Sequence, residues 1–153
     1  VRKDLLGQAL PETPPLLNYA VLDKANSLVN TPSTFNIYFA LHMMRWIKDG
    51  GGVAEIERRN NQKAQLLYDF LDKSAFYKPF VDKAHRSIMN VTFDLPTPQA
   101  LETFLSEAGK QGLYALKGYR DVGGVRASIY NGMPLEGVQA LISFMQEFER
   151  KNG

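Results

Sequence analysis

Two arginines that flank a glycine pair are the residues of this sequence best suited to binding an anion. Arg120 and Arg126 lie on either side of Gly123 and Gly124 in the stretch KGYRDVGGVRASIYNGM, residues 117–133. Glycine permits the positive φ angles of a tight turn, so the chain can turn sharply between the two guanidinium groups. Each guanidinium can donate two parallel hydrogen bonds to a carboxylate or a phosphate. The stretch therefore favours an anion with two charged ends.

The same residues also have plainer interpretations. Exposed arginines commonly pair only with solvent or with a neighbouring carboxylate, and a glycine pair is equally suited to an ordinary hairpin turn. The alternation that follows the glycines is more specific, because it has the period of a strand. It predicts a buried face and a polar face, and the polar face holds Arg126, Ser128 and Tyr130.

Other reactive side chains are few. Asn30 and Thr31 precede an apolar segment and suit either a phosphate at a helix N-terminus or ordinary helix capping. His42 is predicted to pack in a helical core and His85 to be exposed. With these two histidines and no cysteine, the sequence supports neither a metal site nor a Ser-His-acid triad. Lys117 is interpreted as a solvated lysine.

The overall composition excludes several classes of function. Basic residues are scattered among acidic ones with a net charge of only +2, which argues against nucleic-acid binding. No phosphate-binding glycine motif follows a strand. No apolar run reaches the roughly 18 residues of a membrane span, and the first residues lack the apolar region of a signal peptide. A cytoplasmic protein with no membrane partner is predicted, and the absence of cysteine fits a reducing compartment.

The elements that must position these residues fall into two groups. Residues 2–29 contain clustered prolines and are predicted to be irregular. Thr31 and Pro32 predict the cap and first residue of a helix that runs to Asp49 and ends at three glycines. This helix is apolar nearly all round, which predicts burial on more than one side. The glycines mark the predicted domain boundary, which gives domains 1–49 and 50–153.

The second group alternates helices and strands. A helix over 53–73 is predicted to bury Val53, Ile56, Ala64, Leu67 and Leu71 and to leave Lys63 on its polar side. The remaining predictions are a strand over 88–95, a helix begun by Thr97 and Pro98, short strands over 113–116 and after Gly124, and a last helix begun by Pro134. This order predicts an α+β fold in which helices pack on a small sheet.

Several stretches taken together resemble one family. They are VRKDLLG, NTPSTFNIY, GGVAEIERRNNQKAQLLYDFLDKS, RSIMNVTF and ALKGYRDVGGVRASIYNGMPLEGVQALISFMQEFER, and they cover essentially the whole chain. The pattern resembles the phosphoserine aminotransferases, which are pyridoxal-phosphate enzymes of the aspartate-aminotransferase fold type. The segment GYRDVGGVRASIYN followed by MPLEGV is specific to that family, whereas NTP alone is a weak signal.

The resemblance implies a fold and a reaction. Residues 1–49 would end the large cofactor-binding domain, and residues 50–153 would form the small C-terminal domain with a mainly antiparallel sheet. The family transfers an amino group between glutamate and 3-phosphohydroxypyruvate, giving phosphoserine and 2-oxoglutarate in serine biosynthesis. In many bacteria it also serves pyridoxine biosynthesis. Its members are homodimers whose sites are shared across the interface.

The resemblance also assigns roles to residues. Asn30 and Thr31 would reach the phosphate of the neighbouring subunit's cofactor, and Arg126 would hold the substrate α-carboxylate. Tyr119 and Arg120 occupy the places of a His-Arg pair that contacts the substrate phosphate. A phenol donates one hydrogen bond but carries no positive charge near neutral pH, so Arg120 would carry more of this contact.

No catalytic residue is assigned within the chain, because the family's Schiff-base lysine lies upstream of the VRxDLLG stretch. The chain by itself is therefore expected to bind no cofactor and to be inactive. A non-catalytic α+β domain that binds a phosphorylated or carboxylated small molecule is the alternative. The apolar helix before Asp49 is expected to cause oligomerisation or disorder near the N-terminus.

Overall fold

A three-stranded antiparallel sheet carries Arg126 in the computed structural model, which describes residues 1–153. Its strands, in spatial order, are β1 (Lys78–Pro79), β2 (Asn90–Asp94) and β3 (Val125–Ser128). The helices of the same part of the chain are α3 (Gly52–Leu71), α4 (Pro98–Lys110) and α5 (Leu135–Asn152). The predicted fold of helices packed on a small antiparallel sheet is confirmed.

The chain divides into two units, Val1–Trp46 and Ile47–Gly153. The division lies in the last turn of helix α2 (Thr34–Asp49). The domain ranges 1–49 and 50–153 remain predictions.

The first unit is more regular than the sequence predicted. It contains helix α1 (Tyr19–Lys24) and two short 3₁₀ turns, at Lys3–Leu5 and Pro15–Leu17. The side chain of Asn18 caps α1, because its Oδ1 accepts a hydrogen bond of 3.0 Å from the backbone N–H of Ala20. The prolines therefore precede a helix in this region, and the prediction of irregular chain over 2–29 is wrong for Tyr19–Lys24.

Helix α2 begins at Thr34, so the prediction that Thr31 caps it is wrong. The backbone N–H of Thr34 bonds the carbonyl of Pro32 at 2.8 Å, which forms a tight turn before the helix. The first helical bond then runs from the N–H of Ile37 to the carbonyl of Ser33 at 3.2 Å. Asn30 and Thr31 consequently lie in an exposed segment ahead of the helix.

The apolar side chains of α2 are exposed, which contradicts the predicted burial. No residue of the helix is buried, and Phe35 is 72% exposed. His42 also lies at the surface, where its ring and that of Tyr38 form a T-shaped pair with 4.4 Å between centroids, so its predicted core position is wrong. The reason is that the first unit has only one other α-helix, of six residues, and cannot enclose α2.

A cluster of aromatic rings fills the core of the second unit. Phe104 of α4 is fully buried, and its ring lies 5.0 Å from that of Phe144 and 5.2 Å from that of Phe148 between centroids. Edge-on contacts to Tyr77 and Phe93 join this cluster to the sheet. The inward residues of the strands complete the core, namely Val91, Phe93, Val125 and Ala127.

Helix α3 departs from its predicted faces at two positions. Val53 was expected in the buried stripe but is 74% exposed, because it lies in the first turn of the helix. Lys63 was expected on the polar side but is 3% exposed. Ala64, Leu67 and Leu71 are buried as predicted. A lysine therefore occupies a core-facing position of this helix.

The predicted strand over residues 113–116 does not form. Ala115 adopts a left-handed backbone conformation with φ of 59°, which interrupts the extended chain. The pairing begins one step later, where Lys117 forms an isolated bridge with Val125. Strand β1 was missed by sequence reasoning, since two residues are too short for a periodic signal.

The starts of α4 and α5 lie at or next to the residues that the sequence predicted. Thr97 caps α4 by accepting a hydrogen bond of 3.1 Å from the N–H of Ala100, and Pro98 is its first residue. Pro134 directly precedes α5. None of the helices combines the length and the apolar character that crossing a bilayer requires.

Candidate anion-binding site

Arg126 lies on the face of β3 that points away from the core. Val125, Ala127 and Ile129 are all at most 3% exposed, while Arg126 and Ser128 are half-buried and Tyr130 is exposed. This alternation confirms the predicted polar face of the strand. On the neighbouring strand β2, Thr92 lies opposite Arg126 in the antiparallel register. The two strands together form a polar sheet face around one guanidinium group.

Asn90 organises the hydroxyl groups of this face. Its Oδ1 accepts one hydrogen bond from Ser128 Oγ at 3.2 Å and another from the Tyr130 hydroxyl at 3.1 Å. Asn90 was not among the site residues predicted from the sequence. Its signal was the alternation of β2, which places Asn90 and Thr92 on the polar face, but the cross-strand register alone brings it to Ser128.

The guanidinium of Arg126 has an unused donor. Its Nε is buried and has no hydrogen-bond partner, and no other buried side-chain nitrogen or oxygen of the structure lacks one. A buried donor without a partner is costly, and buried polar groups are nearly always paired. An anion bound at the guanidinium would satisfy this donor with a charge-assisted hydrogen bond. The geometry of Arg126 therefore fits a carboxylate or a phosphate.

The glycine pair closes a loop that ends beside Arg126. The N–H of Gly118 bonds the carbonyl of Gly124 at 2.8 Å, and the N–H of Gly123 bonds the carbonyl of Tyr119 at 2.7 Å. Gly123 and Gly124 both have positive φ angles, 81° and 62°. The predicted sharp turn at these glycines is thus present, and it leads directly into β3.

Tyr119 and Arg120 lie on this loop and are turned to solvent. Tyr119 is 57% exposed, and the Arg120 side chain is 90% exposed. The only ion-pair partner of Arg120 is the adjacent Asp121, at 3.4 Å. The structure therefore gives Arg120 and Arg126 different environments, one at the surface and one against the sheet. Arg120 is accessible to a ligand or to another chain.

Two residues of α3 support the segment that follows β3. Lys63 Nζ donates hydrogen bonds to the carbonyls of Ile129, Tyr130 and Met133. Asn60, which is also buried, donates from Nδ2 to Asn131 Oδ1 at 2.8 Å. Desolvation lowers the pKa of Lys63 from its ordinary value. Sequence reasoning missed both residues, because the periodic pattern of α3 does not distinguish a buried lysine from an exposed one.

A second cluster of basic residues, Lys83 and Arg86, forms its ion pairs within the chain. Arg86 donates to both oxygens of Asp72, at 3.0 and 2.6 Å, and its guanidinium lies 4.5 Å from the centre of the Tyr68 ring. The hydrogen bonds from Arg86 and Lys83 lower the pKa of Asp72 well below its ordinary value. This cluster fixes the segment before β2 to α3. It offers no free donor comparable to Arg126.

The other reactive residues singled out from the sequence do not come together in a site. Lys117 and His85 are exposed, as predicted. No group of three or more His, Cys, Asp and Glu side chains is placed to hold a metal ion.

Comparison with known proteins assigns the chain to a family. Residues 1–141 match the family described as aminotransferase class-V. The chain belongs to the class-V aminotransferase family. Phosphoserine aminotransferase from Bacillus cereus is 47% identical to it over 152 residues, which are 99% of this chain and 42% of that protein. This class-V aminotransferase chain thus spans less than half the length of its relative.

Solved structures agree with the sequence comparison. The phosphoserine aminotransferase from Bacillus circulans subsp. alkalophilus superposes on this class-V chain with a TM-score of 0.88 and 42% identity, covering 100% of this chain and 43% of that one. Pyridoxal-phosphate-bound phosphoserine aminotransferase from Trichomonas vaginalis gives a TM-score of 0.81 and 36% identity. The match covers 95% of this chain and 42% of that one. The predicted resemblance to phosphoserine aminotransferases is confirmed.

Proposed function

We propose that the chain is the C-terminal portion of a phosphoserine aminotransferase. The complete enzyme would transfer the amino group of glutamate to 3-phosphohydroxypyruvate, yielding phosphoserine and 2-oxoglutarate. The observation that carries this proposal is the unpartnered Arg126 Nε on the polar sheet face. Arg126 lies in a chain that is 47% identical to a phosphoserine aminotransferase over 99% of the chain's own length.

Arg126 binds the α-carboxylate that all the amino-acid and oxo-acid substrates share. Its guanidinium donates two parallel hydrogen bonds to the carboxylate, and the bond from Nε removes the penalty of the buried free donor. The surrounding hydroxyls of Ser128 and Tyr130 are already tied to Asn90, so the face is organised before the ligand arrives. Such preorganisation lowers the cost of ordering the site on binding.

Tyr119 and Arg120 serve the substrate phosphate of the neighbouring subunit in a homodimer. Their high exposure supports this role, because neither is committed to the interior of its own chain. The phenol of Tyr119 supplies one neutral hydrogen bond, so the positive charge at this position comes from Arg120. Asp121, at 3.4 Å from Arg120 Nε, would have to yield part of its ion pair to the phosphate.

Asn30 and Thr31 would bind the phosphate of a neighbouring subunit's pyridoxal phosphate. The donor set fits, because the Asn30 amide and the Thr31 hydroxyl are exposed in the segment before α2. The bound cofactor supplies the electron sink for amino-group transfer. The role of Asn30 and Thr31 is to hold and orient the cofactor.

The proposed location of the complete enzyme is the cytoplasm.

Residues 1–153 alone are proposed to be inactive in transamination. The single buried lysine, Lys63, is committed to three backbone carbonyls and is not available to attach a cofactor. The test is incubation of the chain with pyridoxal phosphate followed by borohydride reduction. We expect no specific incorporation. A cofactor fixed stoichiometrically onto one lysine of this chain would contradict the proposed inactivity.

The anion site itself can be tested by titration of the chain with O-phosphoserine and with glutamate. Removal of a charge-assisted bidentate contact costs about 1.5–3 kcal/mol, so Arg126→Ala is expected to weaken both ligands by roughly 10- to 100-fold. In a dimer of the chain, Arg120→Ala should weaken only phosphoserine, because Arg120 is proposed to contact the phosphate of the ligand in the neighbouring subunit's site. Arg150→Ala, which removes an exposed guanidinium paired with Glu147 on α5, is the matched control. Unchanged binding in Arg126→Ala would overturn the assignment of the carboxylate.

The coding sequence immediately upstream of Val1 gives an independent test. An open frame that encodes a lysine shortly before Val1 supports the enzyme. A start codon at that point would favour a separate, non-catalytic binding domain.

A further inference from the structure

A buried ammonium group holds the segment that follows β3. The Nζ of Lys63 lies 3.0, 2.7 and 2.9 Å from the carbonyl oxygens of Ile129, Tyr130 and Met133 respectively. An ammonium has three N–H donors, so this arrangement uses all of them. None of the ion pairs of the structure includes Lys63. Its charge is therefore compensated by carbonyl dipoles alone.

The conformation of residues 129–133 depends on this cation. Three carbonyl groups of one short segment converge on a single point, and their negative ends repel each other without a positive charge between them. The segment lies outside any strand or helix, and only the Tyr130 carbonyl also accepts a backbone hydrogen bond, from the Met133 N–H at 2.9 Å. The carbonyls of Ile129 and Met133 have Lys63 as their donor. Buried carbonyls without a donor are strongly disfavoured. Removal of the ammonium would therefore force the segment to rearrange.

The clamped segment is the direct continuation of the strand that carries Arg126. Ile129 lies three residues after Arg126, and its own N–H bonds the carbonyl of Met89 at 2.9 Å. Tyr130 extends its hydroxyl to Asn90 on the polar face. A displacement of the Ile129 and Tyr130 carbonyls would thus be transmitted to the end of β3 and to the polar face beside Arg126.

We infer that Lys63 is a positioning residue for the anion site. By fixing three carbonyls to α3, it sets the end of β3 and the direction in which Arg126 meets a carboxylate ligand. Lys63 does not touch that ligand. The identity of the ligand rests on the proposed function, whereas the clamp itself rests on the hydrogen bonds of the structure.

The test compares Lys63→Met with Lys73→Met in the complete 153-residue chain. Methionine keeps the length of the lysine stem and removes the donors, and Lys73 is an exposed lysine just after α3. The Arg126 Nε–H resonance is followed by NMR during titration with L-glutamate. We expect Lys63→Met to raise the Kd roughly tenfold. A change of this size corresponds to the loss of about one charge-assisted hydrogen bond between a misplaced Arg126 and the ligand. Lys73→Met should match the wild type.

A Kd for Lys63→Met within twofold of the wild type would overturn the inference. If the wild-type chain does not bind glutamate, the proposed carboxylate role fails, and the ligand-free spectrum then decides the positioning role by itself. In that spectrum the Arg126 Nε–H resonance is expected to shift or broaden in Lys63→Met only. An unchanged resonance refutes the positioning role.

The wild-type chain supplies a readout that does not require the variant to fold. An ammonium that uses all three donors inside the protein exchanges its protons with water slowly. The ¹H–¹⁵N signal of the Lys63 ammonium is therefore expected to persist under conditions where that of Lys73 is lost. Equal exchange of the two ammonium groups would refute the clamp.

Discussion

Substitution of Gly124 with alanine tests how the loop before β3 positions that strand at the site. Its φ of 62° lies in the left-handed region, and a Cβ there would lie 2.7 Å from the carbonyl oxygen of Phe93 and from the ring of Phe80. The Phe80 side chain is 42% exposed and can move aside. The Phe93 carbonyl belongs to β2 and cannot. Gly124→Ala therefore combines backbone strain with a steric overlap.

The two costs can be separated with the neighbouring glycine. Gly123 has a φ of 81°, and a Cβ at this position would meet no atom within 4 Å. Gly123→Ala should therefore show the conformational cost alone, about 1–2 kcal/mol. Gly124→Ala adds about 1–3 kcal/mol for overpacking, which gives a total of roughly 2–5 kcal/mol.

The measurement is the free energy of unfolding from urea titrations followed by far-UV circular dichroism. Equal losses in Gly123→Ala and Gly124→Ala would refute the steric argument. A loss below about 0.5 kcal/mol in Gly124→Ala, which is the usual range for unconstrained surface substitutions, would refute the whole account of the loop.

Three further predictions concern stability and ionisation. Phe104→Ala should lower the free energy of unfolding by about 3–5 kcal/mol, since the ring is fully buried among other rings, and urea titration would show a smaller loss if the core collapses around it. Arg126→Met should raise stability by about 1 kcal/mol, because it removes a buried donor without a partner, while it weakens anion binding by the same roughly 10- to 100-fold as Arg126→Ala; a stability loss would contradict this prediction. The hydrogen bonds from Arg58 and Arg59 lower the pKa of Glu55 from 4.5 to about 2, so this interaction stabilises the fold above pH 4.5 and is lost as the pH falls towards 2. NMR titration of the Glu55 carboxyl should give a midpoint near 2, and a midpoint that stays there in Arg58→Met would refute the assigned cause.

Local sequence signals predicted the elements that depend on local physics. The alternation around Arg126 gave the correct polar and buried faces of β3, because side chains of a strand point to opposite faces whatever they pack against. Thr97 and Pro98 located the start of α4, since capping involves only the first turn. The same reasoning failed at Thr31, where a tight turn through Pro32 displaced the start of α2.

Burial was predicted less well than secondary structure. The apolar pattern of α2 indicates a helix, but whether its surface is covered depends on other parts of the fold, and in this chain Phe35 and its neighbours are exposed. The opposite error occurred at Lys63, whose charge suggested solvent. A lysine can be buried when its three donors find acceptors, and those acceptors lie 66 to 70 residues away along the chain.

The sequence by itself determined the strand that presents Arg126, the turn at its glycine pair and the family to which the chain belongs. These features depend on short segments of adjacent residues. Only the tertiary structure decided that Arg126 Nε is buried without a partner, that Asn90 gathers two hydroxyls and that Lys63 clamps the end of β3. The physical reason is that each of these facts depends on burial or on contacts between distant segments, which no local pattern encodes.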